Sequence, residues 1–274
     1  MRSIRSGIAA PASLALLLAA AMPAQAIDAG DMKRFMDSKA CAKCDLKRAD
    51  MKGMDAAGAN LDRAMLRDID GKGLNLKGAN LSRADMRRAD LETADLTGAK
   101  LERANLAGAD LEKAILVDAN LERADLSEAD MEKVDAKNAN FSRATLASVL
   151  AKRSNFAGAN LSGADMERIR LERSDLTNAN LSGAKMTRAD LERADLTGAN
   201  LSEAALRGAR LTRTNLTNAN LRDANLEDAL LRLANLSAAD LSNVSGLNQD
   251  MLDEACGDAK TKLPDDLTVP VCKE

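Results

Sequence analysis

Two cysteines spaced as Cys41-Ala42-Lys43-Cys44 are the residues of this 274-residue chain with the most evident chemistry. A C-x-x-C pair can exchange disulfides, supply half of a zinc site or form a structural disulfide. A redox motif is expected to open a helix after a strand, and zinc needs two further ligands in a chain without histidine. We therefore favour a structural disulfide and keep redox activity as the alternative.

Two more cysteines, Cys256 and Cys272, lie near the end of the chain. Four cysteines allow three pairings, and proximity favours Cys41 with Cys44 and Cys256 with Cys272. The second bridge would close a loop of roughly 17 residues and stabilise the fold by about 3 kcal/mol.

Residues 1–26 have the layout of a cleavable secretory signal peptide. Arg2 and Arg5 precede an apolar stretch that is densest over 14–22, and Pro23-Ala24-Gln25-Ala26 follows as a small-residue cleavage site. The apolar stretch is shorter than the roughly 20 residues of a membrane-spanning helix, so no transmembrane segment is predicted. We expect cleavage after Ala26 and a periplasmic or secreted protein, in a compartment where disulfides form; a buried N-terminal helix is the alternative.

The composition excludes several classes of function. The chain is 46% hydrophobic but 1% aromatic, with three Phe and no Trp, Tyr or His. Without histidine, His-dependent triads and most catalytic zinc sites are excluded. The 39 basic and 42 acidic residues give a net charge of −3, which argues against a nucleic-acid partner. We predict a protein that is not an enzyme and has no metal and no cofactor.

A five-residue repeat dominates the chain from Cys44 to Asn243, without an insertion or deletion. The consensus is Ala-(Asp/Asn)-Leu-x-x, as in Ala194-Asp195-Leu196-Thr197-Gly198, and the third position is Leu in 29 of 40 blocks. A period of five fits neither the 3.6 residues of a helix nor the two of a strand. Each block must therefore form one short side and then turn.

These blocks, over residues 44–243, resemble the pentapeptide-repeat family. The resemblance implies an all-β fold, the right-handed quadrilateral parallel β-helix, in which four blocks form one square coil. It implies about ten coils, with the third residue of each block and the residue two before it pointing inward. Some members of the family resemble duplex DNA and bind DNA gyrase. The balanced charge and the signal peptide of this chain depart from that pattern, so gyrase binding is kept only as an alternative.

Two features of the sequence test this fold. Four blocks have a small third residue, and in each the first residue is larger than the usual Ala, which indicates that both positions share one close-packed interior. These pairs are Met54 and Ala56, Ile69 and Gly71, Val134 and Ala136, and Val149 and Ala151. In addition, eight of the ten second-position residues at every fourth block from Asn60 to Asp240 are Asn. This spacing of 20 predicts four sides per turn and stacked amides.

The flanking segments are predicted to close the two ends of the solenoid, where apolar core would otherwise be exposed. Residues 27–43 contain Met32, Phe35 and Met36 on one face of a short helix, followed by the C-x-x-C pair. Residues 244–274 contain a second short helix, expected from Gln249 to Ala255, and the other cysteine pair. The expected organisation is a signal peptide (1–26), an N-terminal cap (27–43), the repeat (44–243) and a C-terminal cap (244–274).

Stacked cations are the candidate interaction sites. One column consists of Arg63, Arg83, Arg103, Arg123 and Arg143, and a second of Lys113, Lys133, Arg153, Arg173, Arg193 and Arg213. Such columns can bind an anionic polymer, but neighbouring carboxylates also predict a lattice of surface ion pairs. We expect an exported structural or interaction protein, a rigid rod that displays these columns to a protein or cell-envelope partner.

Overall fold

The computed structural model describes residues 28–273. The predicted signal peptide and its cleavage after Ala26 lie outside these residues. Parallel backbone bridges join residues that are 20 apart, from Ala40 with Asn60 to Asn225 with Ser245. Each side of a coil contributes a single bridging residue before the chain turns. The fold is therefore built from isolated bridges rather than from long strands.

Hydrogen bonds between successive coils explain this regularity. The Leu101 N–H donates to the Asn120 carbonyl of the next coil at 2.7 Å, and the Asn120 N–H donates back to the Ala99 carbonyl at 2.9 Å. We number the four sides by their bridging residues: side 1 contains Asn60, side 2 Met65, side 3 Asp70 and side 4 Asn75. Every twentieth residue from each of these lies on the same side. The fourth and fifth residues of a block, which form the turn after its buried third residue, are counted with the side of that block's bridging residue.

Every corner is a tight turn with one residue in the left-handed region. In a representative turn the Ala104 N–H donates to the Leu101 carbonyl at 2.9 Å, and Arg103 has φ of 58°. This is the pattern of a type II turn, which favours glycine at that position. All 40 fifth-position residues from Arg48 to Asn243 have φ between 54° and 68°, although only 11 of them are glycine. The turn therefore imposes a strained backbone on the remaining 29.

The interior follows the two inward positions of each block. Leu101 and Ala104, for example, are buried, and the same holds for their equivalents along the chain. The exchange of volume between the two positions is also present. A Cβ added to Gly71 would lie 3.3 Å from the Cδ1 atom of Ile69, so the larger first residue occupies the space that the missing leucine leaves.

Two short helices flank the coils. The first, α1 (Ala29–Ser38), is capped by Asp28, whose side chain accepts hydrogen bonds from N–H groups of the first turn. Phe35 is buried and Met32 packs against the core. Met36, which is predicted on the same face, is instead 60% exposed, so only Met32 and Phe35 of the three contact the core.

The second helix, α2 (Gln249–Asp253), is capped by Asn248 and buries Leu252. It ends two residues before the predicted end at Ala255. The chain then returns to the last coils, where Lys262 bridges to Asp240, and a final bridge joins Gly257 to Val271.

Candidate functional site

The cysteines are paired as Cys41–Cys44 and Cys256–Cys272, with Cα–Cα distances of 5.3 and 4.7 Å. Proximity in the sequence favoured this pairing. Cys41 and Cys44 are fully buried under α1, where the Cys41 Sγ atom lies 3.3 Å from the Asp31 carbonyl oxygen. The Arg34 Nη2 atom is 2.9 Å from the Cys44 Sγ atom. A disulfide covered in this way has no open path for an exchange partner.

The arginine column on side 1 is largely neutralised by its neighbours. Arg63 and Arg83 lie 3.7 and 3.5 Å from carboxylate oxygens of Asp62, and Arg123 lies 3.6 Å from Glu122. Arg103 and Arg143 have no carboxylate within 4 Å among residues 28–273. The structure therefore brings the five predicted arginines into one column, but three of them belong to surface ion pairs.

A ladder of amides runs along the same side. Asn140 donates its Nδ2–H to the Oδ1 atom of Asn120 at 2.9 Å, and Asn160 donates to Asn140 at 3.2 Å. Each Oδ1 atom also accepts from a turn N–H, as from Ser142 to Asn140 at 3.1 Å. The polar groups of these asparagines are thus used inside the coil stack and are not aimed at a ligand.

Side 3 is divided into two halves of opposite charge. In its first five coils, residues 50–133, eight carboxylates and four lysines point outward, a net charge of −4. All four lysines are paired: Lys52 with Asp70 at 2.5 Å, Lys72 with Glu92, Lys113 with Glu92 at 3.1 Å and Lys133 with Glu112 at 2.8 Å. Hydrogen bonds from Lys133 and Lys113 lower the pKa of Glu112. All four lysines of this half therefore belong to ion pairs, and the unpaired charges that remain on it are carboxylates.

The last five coils of side 3, residues 150–233, have the opposite balance. Eight cations and three carboxylates point outward, a net charge of +5. The carboxylates are all used by cations of the same half: Glu172 by Lys152 and Arg170, Glu192 by Arg193, and Asp190 by Arg210 at 3.2 Å.

Four exposed arginines remain on that half, and we call them the free-arginine strip: Arg153, Arg173, Arg213 and Arg232. Within residues 28–273, none of the four has a carboxylate oxygen closer than 4 Å. The first two also line a shallow groove between coils, together with two lysines and two glutamates: Lys133, Lys152, Glu132 and Glu172. Sequence reasoning identified three of the four arginines as members of a column, but it could not tell them from Lys113, Lys133 and Arg193, which are paired.

The last block of side 3 carries two exposed leucines. Leu230 is 55% exposed and Leu233 is 53% exposed, while Leu231 between them is buried. We call Leu230 and Leu233 the leucine step. The sequence signal for it was present, since block 229–233 carries Leu at the second and fifth positions, where polar residues prevail elsewhere.

No group of three or more Cys, Asp or Glu side chains in residues 28–273 is arranged to hold a metal ion. In the same range no helix has the length and apolar character needed to cross a membrane. Most of the aspartates at the bridging position of side 3 accept hydrogen bonds from their own turns, as where Asp110 accepts the Glu112 N–H at 2.9 Å.

Comparison with known proteins identifies the class. The family model for pentapeptide repeats matches in eight copies, and the matched residues are 41–70 and 75–245. The chain therefore belongs to the pentapeptide-repeat family, and its fold is the right-handed quadrilateral β-helix of that family.

Several solved structures are similar to this chain. HetL from the cyanobacterium Nostoc sp. strain PCC 7120, a protein involved in the regulation of heterocyst differentiation, is 33% identical with a TM-score of 0.56. The alignment covers 75% of this chain and 95% of HetL. A protein of the Arabidopsis thaliana thylakoid lumen is 41% identical over 34% of this chain and 68% of its own, with a TM-score of 0.29. The plasmid-mediated fluoroquinolone resistance protein QnrB1 is 20% identical over 62% and 87%, with a TM-score of 0.36. Comparison with curated protein sequences finds no match.

Proposed function

We propose that this protein is an exported, non-enzymatic rod that displays the free-arginine strip to an anionic partner in the cell envelope. The rod would comprise about ten coils, with residues 28–43 and 244–273 closing its ends. The observation that carries the proposal is the difference between the halves of side 3. All four cations are paired in the first half, whereas four of eight are unpaired and exposed in the second.

Rigidity supports this role. The side chains of the strip project from a backbone whose N–H and carbonyl groups are bonded to the coils above and below, as for Arg213 N–H with the Arg232 carbonyl at 2.9 Å. A fixed row of guanidinium groups loses little conformational freedom in the backbone when it binds a linear or planar array of anions. Guanidinium groups also hydrogen-bond phosphate, sulfate and carboxylate oxygens in pairs.

The alternatives have weaker support. A DNA-like rod would present acid on all sides, whereas side 3 is basic over half of its length. A redox role through Cys41 and Cys44 would need an accessible sulfur, whereas both residues are fully buried.

Two measurements test the proposal. The first is the N-terminal sequence of the protein recovered from the periplasm of a bacterial host, which is expected to begin at Ile27. Full-length protein retained in the cytoplasm would contradict export.

The second measurement is retention of the mature chain on immobilised dextran sulfate, a generic polyanion. We expect elution at a lower salt concentration than that of the unsubstituted mature chain for the strip variant, Arg153→Gln/Arg173→Gln/Arg213→Gln/Arg232→Gln. A matched variant of side 1, Arg63→Gln/Arg83→Gln/Arg103→Gln/Arg123→Gln, removes the same charge and is expected to elute later than the strip variant. Equal elution of the two would show that net charge alone is responsible.

A further inference from the structure

The free-arginine strip does not end in another polar block but in the leucine step. Leu230 is the bridging residue of side 3 in its coil and Leu233 is the turn residue that follows, so both lie on the face that carries the strip. Arg232 is located between them in the chain and is exposed. This end of side 3 therefore presents apolar and cationic groups together.

We propose that this half of side 3 binds the surface of an anionic phospholipid bilayer, with the leucine step inserted among the acyl chains. The inference rests on the proposed function and names the partner. Surface-binding proteins combine these two elements: cations that contact anionic headgroups, and a few apolar side chains that reach the boundary of the hydrocarbon. A soluble polyanion would use the arginines but gains nothing from two exposed leucines.

The shape of the surface agrees with a planar partner. Successive coils stack with the same register along side 3, so the strip lies along one face of the rod. Acidic groups on this half do not oppose binding, because Glu172, Asp190 and Glu192 are neutralised by neighbouring cations. The Leu233 N–H donates to the Glu254 backbone carbonyl at 2.6 Å, so the chain that follows the repeat lies beside the end of the strip.

Expected effects follow from the two contributions. Each arginine at an anionic surface strengthens binding by about fivefold at low salt, and the two leucines together contribute about tenfold. Because salt shortens the screening length from about 10 Å at 0.1 M to about 3 Å at 1 M, high salt is expected to release most of the protein.

The test is sedimentation of the mature chain, residues 27–274, with vesicles of phosphatidylcholine alone or with added phosphatidylglycerol. We expect binding only to the anionic vesicles, weakened about 25-fold by Arg213→Gln/Arg232→Gln and about tenfold by Leu230→Ser/Leu233→Ser. The matched control Arg63→Gln/Arg123→Gln on side 1 is expected to bind anionic vesicles more tightly than Arg213→Gln/Arg232→Gln does. Circular dichroism and thermal unfolding of each variant verify that it is folded.

The outcomes separate this inference from the proposed function. Binding to dextran sulfate without binding to anionic vesicles would refute the lipid inference and leave the proposed function standing, as would vesicle binding that is insensitive to the leucine variant. If the mature chain binds neither dextran sulfate nor anionic vesicles, both the proposed function and the lipid inference are refuted. Capture of an acidic protein that requires the leucine step, with no vesicle binding, would replace the bilayer by a protein partner.

Discussion

The rings of Phe141 and Phe156 meet edge to face inside the coil stack, with 5.8 Å between their centroids and 60° between their planes. Each follows directly on a side whose central residue is alanine, Ala136 before Phe141 and Ala151 before Phe156. All four residues are fully buried. We infer that the two phenylalanines, together with Val134 and Val149, occupy the volume that two missing leucines leave.

Shared volume predicts that substitutions at these positions are coupled. Phe141→Leu is expected to lower the free energy of unfolding by about 1–2 kcal/mol, because it leaves a cavity and removes the ring contact. Ala136→Leu alone is expected to cost about 1–3 kcal/mol through overpacking. The double variant is expected to cost at least about 1 kcal/mol less than the sum of the two, in urea unfolding monitored by circular dichroism. Strict additivity would contradict a shared interior.

The left-handed turn position predicts an unusual response to alanine. Gly98 has φ of 62°, and a Cβ placed there would meet nothing within 4 Å. Gly98→Ala is therefore expected to destabilise the protein by about 1 kcal/mol through the backbone alone. Gly98→Asn is expected to cost less, since asparagine tolerates this region. Chemical unfolding measures both, and an alanine variant as stable as the parent would contradict the assigned turn.

Much of this architecture was accessible from the sequence because the repeat determines both what is buried and where the chain turns. The spacing of 20 between Asn60 and Asn80 is the spacing of one coil, and Ile69 compensates for Gly71 as predicted. The sequence did not reveal that Arg103 and its equivalents adopt a left-handed backbone, because arginine has no preference for it. Glycine at only 11 of 40 such positions is too weak a signal.

The candidate site was less predictable, because ion pairing depends on rotamers and on contacts between coils. Arg153 and Lys133 occupy equivalent positions, yet Lys133 reaches Glu112 in the preceding coil at 2.8 Å and Arg153 has no such carboxylate among the described residues. The preceding coil offers Glu132 at that place in the sequence, so the sequence alone predicts an ion pair with Arg153.

The buried Ser154 and Ser174 were also not predicted from the sequence. The Ser174 hydroxyl accepts the Ser154 N–H at 3.1 Å, in place of the usual turn carbonyl.

Acid is expected to destabilise the protein through Asp85. Paired hydrogen bonds from the Arg87 guanidinium, both 2.7 Å, and a further one from Arg67 lower the pKa of Asp85 to about 2. A lowered pKa means that this stabilisation is complete above the unfolded value near 4 and is lost as the pH falls towards 2. Since the side chain is 24% exposed, we expect about 1 kcal/mol rather than the full linkage value.

The corresponding variant is Asp85→Asn. At pH 7 it is expected to be about 1 kcal/mol less stable than the parent, and the difference should shrink to near zero at pH 2. Asp37→Asn, which removes an exposed pair with Lys33, is the control and is expected to change stability little at either pH. A pH-independent difference for Asp85→Asn would show that shape rather than charge is responsible.

The two disulfides are expected to differ in accessibility to a reductant. Cys41 and Cys44 are fully buried, and the α1 residue Phe35 is only 2% exposed, whereas Cys256 and Cys272 are partly exposed. In the folded protein a phosphine reductant should therefore open Cys256–Cys272 first, at a cost of about 3 kcal/mol in stability.

Phe35→Ala should detach α1 and accelerate reduction of Cys41–Cys44 by about tenfold or more, with little effect on the other bridge. Timed alkylation followed by peptide mass analysis measures each rate, and Met36→Ala, an exposed position of the same helix, is the control. Faster reduction of Cys41–Cys44 than of Cys256–Cys272 in the parent protein would contradict a buried structural bridge and favour the redox role of the C-x-x-C pair.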